Sequence, residues 1–170
     1  MRPVYFFLLL IPTLLLSVGC ASKKAASIAD RVEAAELKIF DASNPRPLND
    51  TEKAQVHLRF AQYKAEKEPI SVAVAAIEDG QTVSSHYHGK YNVSATERYH
   101  DSALQLLQSM QQMASLAPKI DPETQKALDF QTKAVQEAAA KLEKAKALQP
   151  EIEAFDATLT NLSTEAASLR

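Results

Sequence analysis

The sequence predicts a mainly all-α protein, an antiparallel helical bundle or a set of elongated helical hairpins. Three observations carry that expectation. Apolar residues recur at alternating spacings of three and four along most of the chain, the period of a helix face buried against a neighbour. Ala, Gln, Glu, Lys and Leu dominate the composition, all good helix formers, and only three glycines occur in 170 residues. Helix-start residues and prolines punctuate the chain at intervals that divide it into helices.

The first twenty residues have a separate character. Arg2 supplies a basic start, Val4 to Leu16 are apolar apart from Pro12 and Thr13, and Ser17-Val18-Gly19 are small residues leading to Cys20. That order is the order of a secretory signal. A bilayer-spanning helix needs about 20 apolar residues, so this run is short and is interrupted by its proline. Ser17-Val18-Gly19-Cys20 resembles the bacterial lipobox, with Ser17 where that family prefers Leu. The resemblance covers residues 1–20 alone. It implies cleavage after Gly19 and a covalent lipid on the sulfur and new amino group of Cys20. It also divides the chain into a signal peptide over 1–19 and one periplasmic helical domain over 20–170, anchored through Cys20. Ala21 stands where an Asp would retain a Gram-negative lipoprotein in the inner membrane. The resemblance therefore implies the outer membrane, with the domain facing the periplasm, or the cell membrane in a Gram-positive host. The competing reading of the same residues is an uncleaved signal-anchor helix over 3–19.

Composition narrows the function classes. Lys and Arg number 19 against 21 Asp and Glu, with Arg2 the only charge before Cys20. The charges are interspersed, so no basic patch offers itself to nucleic acid. Cys20 has no second cysteine to pair with, so stability must come from packing. Beyond the leader only Gly80 and Gly89 remain, which excludes glycine-rich phosphate loops, and no G-x-S-x-G elbow is present.

Between Lys24 and Phe40, Ala25, Ile28, Val32, Ala35 and Ile39 form a helix seam spaced 3, 4, 3, 4. Asp41 to Leu48, with two prolines, ends it in a helix–helix turn. Asn49 and Glu52 form a capping box for a second helix reaching Lys67, with Ala54, Leu58, Ala61 and Ala65 as its expected face. Residues 70–88 break the pattern. ISVAVAAI is rich in β-branched residues and alternates, so a short β-hairpin turning at Glu78-Asp79-Gly80 is expected. A short helix from Pro69 to Asp79, capped at Gly80, fits nearly as well.

Ser94 and Glu97 form a second capping box, and Tyr99, Ala103, Leu106, Met110, Met113 and Ala117 follow at 4, 3, 4, 3, 4. The expected reading is a core face, with its methionines as filler and a binding groove as the rarer meaning. Asp121 caps the next helix with Pro122 at its first position. That helix reaches Leu148, with Ala134, Ala138 and Ala145 allowing close approach. Basic residues before Pro150 and acidic ones after it predict a break there. The last helix then places Ile152, Phe155, Leu159, Leu162, Ala166 and Leu169 on one seam.

The best chemical candidates are His86, His88, Glu97 and His100. In a strand His86 and His88 share a face and could bite one metal, and in a helix Glu97 and His100 share one. The competing reading makes them surface polar residues near a loop, and no metal site is favoured. A di-iron bundle would need a second Glu-x-x-His motif, which is missing. No nucleophile is paired with a base, so the expectation is a non-enzyme without cofactor other than the lipid on Cys20. The expected function is a lipid-anchored envelope lipoprotein with a structural or partner-binding role. Its partners would be the membrane, through the lipid, and another envelope protein or a second copy of itself. The alternative is a periplasmic metal or small-ligand binder built on His86, His88 and His100.

Overall fold

The structure, a computed structural model, describes residues 10–169, with side chains from residue 21 onward. Five helices follow in order: α1 (Leu10–Ser43), α2 (Asp50–Glu66), α3 (Pro69–Lys90), α4 (Val93–Ser115) and α5 (Pro122–Ala167). No strand occurs among the described residues. The all-α helical bundle expected from the seams is the fold. The chain divides into two compact units. One comprises α1, α2, α3 up to His86 and α5 from Glu151; the other is Tyr87–Pro150.

In the first unit the α1 seam buries as its spacing requires: Ala25, Ile28, Val32 and Ile39 are all out of water. Facing it are Val56 and Phe60 of α2, Val72, Ala73, Ala76 and Ile77 of α3, and Ile152, Phe155, Leu159, Leu162 and Ala166 of α5. Gly80 lets α3 approach closely. A Cβ there would stand 2.6 Å from Leu159 Cδ2 and 3.1 Å from Val32 Cγ1, inside normal contact distance. The α1–α2 turn is tied down by side chains. Leu48 N–H donates to Asp41 Oδ1 at 2.8 Å, and Arg46 grips Glu52 with two bonds of 2.9 Å. The Asn49–Glu52 capping box forms as expected, at 2.9 and 2.8 Å.

Five expectations about elements are corrected. Residues 70–88 are helical and form no hairpin. Val72, Ala73, Ala76, Ile77, Gly80 and Ser84 all bury, a helical recurrence, and burial outweighs the modest β-preference of Ile and Val. The helix also runs past Gly80, whose bare Cα is used for packing instead of a cap. On α2 the apolar stripe Ala54, Leu58, Ala61 and Ala65 faces solvent, while Val56 and Phe60 turn inward. The cap of α4 is Asn92, whose side chain accepts from Ala95 N–H at 2.8 Å, in place of Ser94. Pro150 lies inside α5 and does not break it. Its ring sits on the exposed side, and the buried positions Leu148 and Ile152 keep the helical period on either side of it.

The second unit is smaller. Asp121 caps its long helix, accepting from Glu123 and Thr124 N–H at 3.0 and 2.9 Å. Leu107 and Ala114 of α4 and Ala138, Leu142, Ala145 and Leu148 of α5 are buried. Gln131 Nε2 donates to the Ala103 carbonyl at 2.9 Å, and Lys146 pairs with Glu97 at 3.5 Å. Tyr87 and Tyr91 stack with centroids 5.7 Å apart, and the Lys144 ammonium lies 5.7 Å above the Tyr91 ring.

Candidate functional site

The two units concentrate different chemistry. In the first, α1 presents Asp30, Glu33 and Glu36 at helical spacing to the cations of α2. Lys64 pairs with Asp30 at 2.5 Å and lies 3.7 Å from Glu33, His57 also meets Glu33, and Arg59 bridges Glu36 and Asp79 of α3. Glu36 is fully buried, and its Oε2 has no hydrogen-bond partner among the described residues. Burial pushes its carboxyl above the ordinary range, and the nearby Arg59 guanidinium only partly pulls it back. The cluster knits three helices together. Its carboxylates and cations pair with one another across the helices, which is the chemistry of a clamp.

The second unit carries the candidate site. The seam expected to be core, Tyr99, Ala103, Leu106, Met110, Met113 and Ala117, has no fully buried member. Tyr99, Leu106 and Met113 are 57%, 52% and 66% exposed, and Leu116 just beyond α4 is 85% exposed. The reason is geometric. The fully buried positions of α4 are Leu107 and Ala114, one residue round the helix from Leu106 and Met113. That rotation leaves the outer edge of its apolar face uncovered. Phe130 of α5, 74% exposed, stands across from it. Between them runs a groove of about 440 Å³ lined by Tyr99, Ala103, Leu106, Phe130 and Ala134, with Glu137 and Lys141 as its charged members. Its large apolar walls, Tyr99, Leu106 and Phe130, each leave half or more of their surface in water.

The sequence-level candidates are not assembled into a site. His86 and His88 are exposed residues of α3, where helical geometry turns positions two apart by about 200°. The shared face that a strand would have given them does not exist. Glu97 is engaged by Lys146, and His100 Nδ1 lies 3.2 Å from Asp101. Among the described residues no group of three or more His, Cys, Asp or Glu is placed to hold a metal ion. The side chain of Cys20 and the leader residues 1–9 lie outside the described residues. Among those described, no helix is long and apolar enough to cross a membrane.

The sequence ranks a groove on this face behind a core face because periodicity reports that a face is apolar and not what covers it. A second signal was available. No charged residue occurs from Ser102 to Pro118, in a chain that is 24% charged, so α4 beyond its first turns, which carry Glu97, Arg98 and Asp101, is uncharged on its buried and outer sides alike. No protein-family model matches the chain, and neither does any curated protein or solved structure.

Proposed function

We propose that this protein is a non-catalytic, lipid-anchored envelope lipoprotein that holds a protein partner against the exposed apolar groove of α4 and α5. The observation that carries the reading is the exposed pair Tyr99 and Leu106 sharing a groove with Phe130, with Met113 exposed seven residues further along α4. Large apolar side chains left in water side by side mark an interaction surface more often than chance exposure. The lipobox-like Ser17-Val18-Gly19-Cys20 supports an anchor at the amino terminus of the mature chain, on the periplasmic face of an outer membrane. Acylation of Cys20 on more than one atom would make that anchor durable, since each buried methylene contributes about 0.8 kcal/mol.

The test joins anchor and groove. Chemical cross-linking in intact envelopes, followed by purification of the full chain, should recover a protein adduct that Tyr99→Ser with Phe130→Ser abolishes. The same cells should incorporate labelled fatty acid into the parent and not into Cys20→Ser. Adducts unchanged by the groove substitutions would place binding elsewhere, and equal labelling of the Cys20→Ser protein would remove the anchor.

A further inference from the structure

The exposed face of α4 is uncharged, periodic and flanked by amides, and from these properties we infer that its occupant is α4 of a second copy of this chain, related by a two-fold axis through Leu106. The inference rests on the partner-binding reading of the groove and names the partner.

Charge selects the occupant first. A partner recognised by its basic or acidic face would find no counter-charge on α4 between Ser102 and Pro118, and the groove's Glu137 and Lys141, both on α5, are of opposite sign. A two-fold interface sets the same surface against itself, so any charge near the axis would meet its own sign. A helix surface without charge over this length satisfies that requirement. Gln105 and Gln112, each exposed and just before Leu106 and Met113, supply amides that both donate and accept, so they can pair with their own kind.

Spacing suits it as well. Tyr99, Leu106 and Met113 are exposed and seven residues apart, and with the half-buried Ala103 and Met110 they keep a 3.5-residue repeat. An apolar stripe at that repeat stays in register along a second helix. With the two α4 helices antiparallel about Leu106, Tyr99 of one copy lies opposite Met113 of the other. A ring against a thioether is a favourable contact.

Area is sufficient. Tyr99, Leu106, Met113, Leu116 and Phe130 each leave on the order of 100 Å² in water, so with the flanking glutamines they supply most of the about 800 Å² per partner of a standard interface.

The experiment uses the full chain with its lipid. A photoactivatable benzophenone amino acid in place of Leu106, irradiated in intact envelopes, should give an adduct of twice the chain mass containing α4 peptides of this chain alone. In detergent solution the parent should sediment as a dimer. Leu106→Gln with Met113→Gln should raise the dimer dissociation constant at least about tenfold while leaving the helical far-UV spectrum unchanged. A parent that stays monomeric at every concentration, or a dimer that both substitutions leave intact, overturns the inference. An adduct joining α4 to a different protein overturns the second copy and leaves the groove as a binding surface. No adduct at all overturns both readings.

Discussion

Glu36 sits out of water with one oxygen lacking a hydrogen-bond donor among the described residues, and Arg59, which pairs with it, is shared with Asp79 at 2.9 Å. Desolvation therefore outweighs the guanidinium, and the folded protein holds the Glu36 proton to higher pH than the unfolded chain does. The sign of the linkage follows. A raised carboxyl means the native state binds the extra proton, so this group's contribution is complete below the ordinary carboxylate value of 4.5 and is lost as pH rises through the raised one. Glu36→Gln removes that titration while keeping the shape. Urea midpoints of parent and variant, compared from about pH 4 to 8, should show the parent losing stability relative to the variant as pH rises. The opposite trend would mean that Arg59 dominates and that Glu36 is ionised throughout. The cluster was invisible in the sequence because Asp30, Glu33 and Glu36 read as an ordinary solvated helix face. Only α2 and α3, brought over them by the fold, take Glu33 and Glu36 out of water.

Adjacent residues on α4 make a sharp contrast at the scale of the element. Leu107 is buried, whereas Leu106, 100° around the helix, is half in water. Leu107→Ala should cost about 2–4 kcal/mol through lost contacts and a cavity, and Leu106→Ala less than about 1. Thermal or urea unfolding at low micromolar concentration measures both. Equal costs would mean that α4 is rotated and that the groove is filled from within. The helices themselves were legible wherever one face carries the seam and the rest is polar, as in α1 and the second half of α5. Legibility failed where two rules competed. In α3, β-branched residues at alternate positions imitate a strand, yet the residues that bury recur at helical spacing. Around Pro150 the charge pattern imitates a helix end. The cost of one missing backbone donor, about 3 kcal/mol in an isolated helix, is set against burial of Ile152, Phe155, Leu159 and Leu162 on the same helix. The face of α2 was misread because Ala54, Leu58, Ala61 and Ala65 and the pair Val56 and Phe60 are both apolar, and periodicity does not rank them. The larger ring decides, and Phe60 is fully buried.

For the whole molecule, the distribution of core decides where it opens first. Phe60, Ile28, Ile39, Ile152, Leu162 and Val32, the largest fully buried apolar side chains, all belong to the unit built on α1. The Tyr87–Pro150 unit has no comparable anchor. Its buried set is Leu107, Leu142, Leu148, two tyrosines at its edge and three alanines, and part of its apolar surface remains in water. Buried apolar area is the main term opposing chain entropy, so a unit with less of it has a lower free energy of opening. Native-state hydrogen exchange of the monomer should therefore show the amides of Leu104 to Leu107 exchanging through an opening at least about 2 kcal/mol easier than that of Ile28 to Val32. Binding adds a second term with its own signature. Whatever covers the Leu106 stripe stabilises the closed state by mass action, so protection of α4 should rise with occupancy while protection of α1 stays fixed. If the occupant is a second copy, raising the concentration of the chain alone suffices, and Leu106→Gln with Met113→Gln cancels the effect. Uniform exchange across both units at every concentration would show a single cooperative structure, and the assignment of α4 as the labile, partner-stabilised element would fall.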